Sequence, residues 1–229
     1  MSKQKSAFVV QTNTKQNSLV NAPIKPNAEM QILIGGSYYK DGEEHRYGHA
    51  ALRIKTESYD LTYDFGRYGR ETGVFGDSGE GILRVWTTFA QYIKGENFLK
   101  RKTTGFVYLI FSHQANKAKR YFDVQIRNAA KFGGSNTHRT AFKLAMDYHA
   151  LGPNCTTITL DGAREAVPRI DSGSEKFIKP SDVLNGKELL ALRLSGGPTR
   201  MFLPANLKDF LDGGYPIKFD RKDEYGGAG

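Results

Sequence analysis

The most reactive side chain in this sequence occurs once, because Cys155 is the only cysteine among 229 residues. It lies in the segment LGPNCTT, where Gly152 and Pro153 end the preceding element and Asn154 is a favourable N-cap residue. The segment therefore predicts that Cys155 falls in the first turn of a helix, where free N–H groups and the helix dipole lower the pKa of a thiol. Such a thiolate could attack a carbonyl group, and its backbone N–H could stabilise the oxyanion. The alternative is that Cys155 is a small buried apolar residue.

A predicted hairpin upstream offers a base for this nucleophile. Apolar and polar residues alternate on both sides of KTES at 55–58, which is typical of two half-buried antiparallel strands. If the apolar rows face each other, His49 lies opposite Asp64 and Arg53 lies opposite Asp60. A slip of two residues keeps the faces and makes His49 and Asp64 diagonal neighbours. Because a carboxylate can orient an imidazole, we predict a catalytic site made of Cys155, His49 and Asp64.

Three neighbours of these groups are predicted to bind the substrate, namely Tyr47, Arg53 and Asn154. The segment HRYGH places His45 four residues before His49, a spacing that suits a metal only on a helix. It contains a glycine and runs into a strand, so no metal site is predicted. The chemistry of a thiol hydrolase requires no metal and no organic cofactor.

The elements that must position these residues indicate an α+β domain. Strands are predicted at MQILIGG and TTGFVYLIFS, and a short strand followed by a helix or an irregular segment at ILRVWTTFAQYIKGENFLKR. The Gly-rich segment GRYGRETGVFGDSGEG is predicted to be a long functional loop. Further helices are predicted at QANKAKRYFDVQIRNAAKF, at THRTAFKLAMDYHAL with Phe142, Ala145 and Met146 on one face, and from Thr156 to Ala166.

No internal repeat and no clear linker divides the chain, so a single domain is predicted. Residues 1–28 are polar and predict a flexible N-terminal arm, and residues 29–229 form the domain, with a C-terminal extension from about 186. The sequence contains no run of 18 apolar residues, so no membrane span is predicted. Because the apolar stretch at 7–10 is too short for a signal peptide, we expect synthesis in the cytoplasm and, for an exported protein, another route.

The formal net charge of +9 favours an acidic partner such as nucleic acid, anionic lipid or an anionic cell-wall polymer. The basic residues are spread along the chain, with neither zinc-finger spacing nor an RNA-binding aromatic signature. Nucleic acid is therefore not the expected partner.

Three motifs occur in an order that resembles a known family. The segments GHAALRI, YDLTYDFG and LGPNCTT resemble the His, third-residue and nucleophile motifs of circularly permuted papain-like proteins of the NlpC/P60 superfamily. KPSDVL at 179–184 is similar to a segment that often follows their Cys helix. The resemblance covers about residues 30–185. It implies an antiparallel sheet packed against helices, with the Cys at a helix N-terminus.

The same resemblance implies roles and a function. His49 would be the base, Cys155 the nucleophile and Asp64 the third residue, where many members have His or another polar residue. The chain also has a long insertion before the Cys helix. We expect a cysteine peptidase or amidase that cleaves peptidoglycan peptides, as an antibacterial toxin delivered to a target-cell periplasm by a system such as type VI secretion. Its partners would be peptidoglycan, a cognate immunity protein and a component of the secretion apparatus.

Two other functions remain open from the sequence. A thiol acyltransferase or lipid hydrolase would use the same groups, although no convincing membrane-seeking segment is present. A non-enzymatic, basic binding module would have Cys155 buried in its core.

Overall fold

The computed structural model describes residues 25–40, 43–72, 78–134, 136–194, 196–214 and 216–226. Most of the predicted arm at 1–28 lies outside these ranges, and Ala28 already begins the first strand. The described strands are β1 (Ala28–Gly35), β2 (Tyr38–Lys40), β3 (Glu43–His45), β4 (His49–Lys55), β5 (Asp60–Gly66), β6 (Glu71–Thr72), β7 (Ser78–Gly79), β8 (Ile82–Trp86), β9 (Thr103–Ile110), β10 (Ala130–Lys131), β11 (Arg139–Lys143), β12 (Tyr148–His149) and β13 (Arg221–Tyr225). The described α-helices are α1 (Phe89–Phe98), α2 (Ser112–Ile126), α3 (Cys155–Ala166), α4 (Gly186–Leu194) and α5 (Pro204–Asp212), and two short 3₁₀ helices span Ser174–Phe177 and Pro180–Asp182.

An antiparallel sheet forms the centre of the described part of the chain. Its eight strands follow the order β10-β11-β8-β5-β4-β1-β9-β13, and each neighbouring pair is antiparallel. The strands β12, β7 and β6 form a small second sheet, and β2 pairs with β3. The predicted class, α+β with an antiparallel sheet packed against helices, is confirmed.

The two faces of the sheet are covered differently because side chains alternate along each strand. On one face, residues such as Ile32 and Leu52 pack with α2, α3 and α5 in the main core. On the other face, Leu33 and Ala51 pack with Trp86 and with Tyr92 of α1. The sheet is thus the middle layer between two unequal helical layers, and the main core lies on the α3 side.

The predicted hairpin is present, but in the register that is displaced by two residues. Leu52 pairs with Tyr63 and Ile54 with Leu61, so Asp64 lies diagonal to His49 rather than opposite it. The reason is the turn, because the Thr56 hydroxyl accepts hydrogen bonds from the backbone N–H groups of residues 58 and 59 at 3.1 and 3.2 Å. This places the two-residue turn at 57–58 rather than at 56–57.

The prediction of a helix at THRTAFKLAMDYHAL is wrong. Residues 139–143 form strand β11, in which Phe142 pairs with Leu83 and Thr140 with Val85 of β8. The apolar spacing of Phe142, Ala145 and Met146 imitates a helix face over one turn only. A long-range partner strand decides the conformation instead. The helix predicted at 114–132 is present as α2 but ends at Ile126.

The segment after residue 186 is part of the domain rather than an appendage. Leu207, Phe210 and Leu211 of α5 are buried in the main core. Strand β13 completes the sheet beside β9. Among the described residues, none of the helices is both long enough and apolar enough to cross a bilayer.

Candidate active site

Helix α3 begins at Cys155 because Asn154 caps it. The Asn154 side-chain oxygen accepts from the N–H of Thr157 at 3.1 Å, and its amide group donates to the carbonyl oxygens of Ala150 and Phe202 at 2.8 and 3.0 Å. These bonds join the helix start to two distant loops. The thiol of Cys155 therefore has a defined position at the N-terminus of α3, where free N–H groups and the helix dipole favour an anion.

The depth of α3 in the fold depends on a small residue. A Cβ atom added at Gly162 would lie 2.6 Å from the ring of Phe122 and 3.1 Å from Leu52. The glycine lets α3 approach both α2 and the sheet. Cys155, one end of this helix, is consequently only 4% exposed.

His49 and Asp64 are in direct contact despite the shifted register. Their atoms Nε2 and Oδ1 are 2.6 Å apart, and the side chains are 8% and 0% exposed. A diagonal pair on neighbouring strands is within reach of an imidazole and a carboxylate. Since Nε2 is bonded to Asp64, Nδ1 is the ring nitrogen left for another partner.

Asp64 is surrounded by donors that the sequence reasoning missed. The Tyr68 hydroxyl donates to Oδ1 at 2.8 Å, and Arg84 donates to Oδ2 through Nε at 2.8 Å. The Trp86 indole N–H lies 3.3 Å from the same oxygen. Arg84 and His49 hold the pKa of the Asp64 carboxyl well below its usual range, although burial opposes this effect.

Cys155 and His49 both line the same cavity, and each affects the pKa of the other. Burial would raise the pKa of the thiol, but the neighbouring His49 and the N–H of Ala50 lower it below the ordinary value. Burial would also lower the pKa of His49, yet the Asp64 carboxylate and the thiol raise it to about 10. Both directions favour a thiolate–imidazolium pair near neutral pH.

These groups open onto a cavity of about 510 Å³. Its lining comes from the hairpin, the loop after β5, the loop before α3, and α4 with the segment at 202–204. Tyr148 is part of this lining, and burial and the neighbouring Cys155 raise the pKa of its hydroxyl. A substrate in this cavity would therefore meet the thiol from the side opposite the core.

The three predicted substrate-binding residues have different surroundings. Tyr47 lines the cavity, and its hydroxyl donates to Glu188 of α4. Asn154 also lines the cavity, but the bonds of its side chain described above go to backbone groups, which gives it a positioning role. Arg53 is not among the residues that line this cavity. Its guanidinium forms two bonds to Asp60, at 2.7 and 2.6 Å.

Sequence reasoning also missed Tyr68, Arg84 and Tyr148. Tyr68 belongs to the Gly-rich loop that its length had already marked as functional. Arg84 lies directly opposite Asp64 on the neighbouring strand, which only the β5–β8 pairing reveals. Tyr148 lies in the segment that was predicted to be helical.

Among the described residues, no group of three or more His, Cys, Asp or Glu side chains could hold a metal ion. Comparisons with protein-family models, with curated proteins and with solved structures find no match for this chain.

Proposed function

We propose that this protein is a thiol hydrolase that cleaves amide bonds, with Cys155 as nucleophile, His49 as general acid and base, and Asp64 as the residue that orients His49. The observation that carries the proposal is the contact of His49 with Asp64, together with the place of His49 and Cys155 in the lining of one cavity. An explanation in which Cys155 only fills the core has less support, because an apolar filler requires neither a place in the cavity lining nor a lowered thiol pKa.

In the proposed mechanism, the Cys155 sulfur attacks the carbonyl carbon of the amide and a C–S bond forms. The N–H groups at the start of α3 stabilise the negative charge on the carbonyl oxygen. The C–N bond then breaks, and His49 gives its proton to the leaving amine. His49 takes a proton from a water molecule that attacks the thioester, which releases the acid and restores the thiol.

The permuted papain-like fold is part of this proposal. Its support is the order of the parts along the chain, with His49 on β4, Asp64 on β5 and Cys155 at the start of the later helix α3. The antiparallel sheet and its packing against α3 agree with that architecture. The third residue, Asp64, and the long segment between β5 and α3 are the departures already noted.

Peptidoglycan peptides are the proposed substrates. The net charge of +9 would attract the protein to an anionic cell wall. Delivery to a target-cell periplasm, with a cognate immunity protein in the producing cell, is the biological setting that we propose for this activity.

The first test compares Cys155→Ala and His49→Ala with His113→Ala, which changes an exposed histidine on α2 outside the cavity. The two site variants should lose at least about a thousandfold in the rate of hydrolysis of purified peptidoglycan, and the control should keep its rate. Circular dichroism would show that each variant is folded. Full activity in both site variants would overturn the assignment.

The released products identify the bond. Mass spectrometry of defined muropeptides after incubation would show a gain of one water at an amide bond if the protein is a hydrolase. Transfer of the acyl group to an added amine, with no hydrolysed product, would favour the acyltransferase alternative.

A further inference from the structure

The charged side chains that line the cavity are unequal in sign. Arg67, Arg101 and Lys187 are cationic, and Glu188 is the only carboxylate among the described lining residues. Glu188 is already paired, because it accepts from Arg46 at 2.7 Å, and its pKa is lowered. Cationic side chains therefore outnumber carboxylates in the cavity lining, which favours an anionic ligand.

Arg101 is the most deeply placed of these cations. Its side chain is 7% exposed, and Nη1 donates to Glu96 at 2.8 Å. Its Nε atom is buried and has no hydrogen-bond partner. The bond to Glu96 and the ring of Tyr38, 4.5 Å from the guanidinium, fix the plane of the group. A rigid guanidinium with an unused donor, in the wall of a cavity, is suited to a planar anion.

The backbone leaves room for Arg101 beside the catalytic residues. A Cβ atom added at Gly35 would collide with the Arg101 side chain, and Gly35 pairs with His49 across β1 and β4. The Arg101 side chain thus packs against the strand position that is paired with His49. An anion bound by Arg101 would lie close to the amide bond that Cys155 attacks.

The other two cations lie closer to solvent. Arg67 is 29% exposed and forms a pair with Glu71 at 3.3 Å, an exposed contact that contributes little. Lys187 is exposed on α4 and forms no ion pair with any described residue. From Arg101 outward, the cavity offers positive charge at increasing exposure, which suits an extended substrate with acidic groups.

We infer that the cavity takes a peptide that carries a carboxylate next to the scissile amide, with Arg101 as the deep carboxylate-binding residue and with Arg67 and Lys187 as outer contacts. This inference rests on the proposed function for the identity of the reacting bond. The binding of the carboxylate itself does not require catalysis. The two claims can therefore fail separately.

The test uses the full-length Cys155→Ser protein, which cannot form the thioester and leaves the peptide intact. The probes are a peptidoglycan stem tetrapeptide with free carboxylates and the same tetrapeptide with every carboxylate converted to carboxamide. Calorimetry at fixed ionic strength should give at least about tenfold tighter binding for the acidic peptide, as expected for one charge-assisted pair.

Variants in the Cys155→Ser background assign the effect to residues. Arg101→Lys keeps the charge and removes the planar fork, and it should reduce the ratio of the two affinities severalfold. The double variant Arg67→Gln, Lys187→Gln should also reduce the ratio of the two affinities, without a change in the core. The matched control is Lys117→Gln with Arg120→Gln, which removes two exposed charges from α2 outside the cavity and should leave the ratio unchanged.

Each outcome decides the inference. Equal affinity for the two tetrapeptides, no measurable binding of either, or an unchanged ratio in both cavity variants would overturn the carboxylate site. If wild-type protein still hydrolysed peptidoglycan in that case, the proposed function would stand. If the acidic tetrapeptide bound preferentially but wild-type protein hydrolysed neither peptide nor peptidoglycan, the carboxylate site would stand and the proposed hydrolase would fail.

Discussion

The carboxylate of Asp64 has no exposure to solvent, and four side chains donate to it or lie in hydrogen-bonding contact with it. They are His49, Tyr68, Arg84 and Trp86. A carboxylate with so many partners has little freedom to rotate. The imidazole bonded to it is therefore held in one orientation, with Nδ1 directed away from Asp64. Stacking of Arg84 on the Tyr68 ring, 3.3 Å from its centroid, stiffens this support further.

The reactivity of Cys155 should depend on His49. We expect the rate of alkylation by iodoacetamide to rise with pH around a midpoint below 9, because His49 opposes the effect of burial and lowers the pKa of the thiol. In His49→Gln the thiol stays buried but loses the cation, so the midpoint should move to higher pH. Mass spectrometry of the alkylated protein from pH 5.5 to 9.5 measures both midpoints. Identical midpoints would contradict the thiolate–imidazolium pair.

Asp64→Asn should destabilise the protein, because it leaves the Arg84 guanidinium without its anion. We expect a loss of about 3–5 kcal/mol in the free energy of unfolding at pH 7. Asp60→Asn is the matched control, since the Asp60 side chain that pairs with Arg53 is 34% exposed and its loss should cost less than that of the fully buried Asp64. Urea denaturation measures both, and equal costs would contradict the special role of Asp64.

The difference in unfolding free energy between wild type and Asp64→Asn should change with pH in a defined direction. The pKa of Asp64 is lowered in the folded protein, so its contribution to stability is fully present above an unfolded-state pKa of about 4. The contribution is lost as the pH falls from there through the folded-state pKa. The gap in unfolding free energy between wild type and Asp64→Asn should therefore narrow in acid.

At the scale of elements, the site was predictable where local chemistry decides the structure. The start of α3 follows from Asn154, and the faces of the hairpin follow from alternation, so Cys155, His49 and Asp64 could be named from the sequence. The hairpin register depended on one hydroxyl, that of Thr56, which the alternating pattern does not contain. The error of two residues left Asp64 within reach of His49 because the side-chain period is two.

Elements whose conformation depends on residues far away in the sequence could not be predicted from the sequence. Strand β11 exists because β8 pairs with it, and the residues between them form α1, β9 and α2. The cavity wall formed by α4 depends on bonds from Arg46 and Tyr47 to Glu188, more than 140 residues apart in sequence. Neither the β8–β11 pairing nor the bonds to Glu188 produce a periodic pattern in the sequence.

Gly162→Ala tests the close approach of α3. Alanine favours a helix over glycine by up to about 1 kcal/mol, but here the new methyl would collide with Phe122. We therefore expect a net destabilisation of about 1–3 kcal/mol. Gly186→Ala at the start of α4 is the control, since nothing lies within 4 Å of the added carbon and its effect should be neutral or stabilising. Thermal denaturation of both variants compares them, and a stabilised Gly162→Ala would refute the packing argument.

At the scale of the whole molecule, the described chain forms one sheet from both of its ends. Strand β9 pairs with β1 near the start and with β13 near the end of the described residues. Polar contacts support this edge, such as the bond from Thr104 to Glu224 at 3.1 Å and the bond from Gln31 to Tyr225 at 2.8 Å. The C-terminal region therefore contributes to the central sheet as well as to the cavity wall.

A chain ended after Asp220 should self-associate, because removal of β13 leaves the hydrogen-bonding groups of β9 unpaired. Size-exclusion chromatography should show oligomers or aggregate, and thermal denaturation should show a lower midpoint. A chain ended after Gly226 is the control, since it keeps β13 and should behave like the full-length protein. A monomeric, equally stable chain ending at Asp220 would contradict the structural role of β13.

The pairing of β9 with β13 also sets an order of events during translation. About 110 residues separate the two strands, so β9 leaves the ribosome long before its second partner is made. A nascent chain can fold β1, β4, β5 and β9 together, but one edge stays open until residue 225 has emerged. Throughout that interval the edge is open to holding chaperones and to premature association between neighbouring nascent chains, so we expect the rate of elongation between β9 and β13 to affect the yield of folded protein.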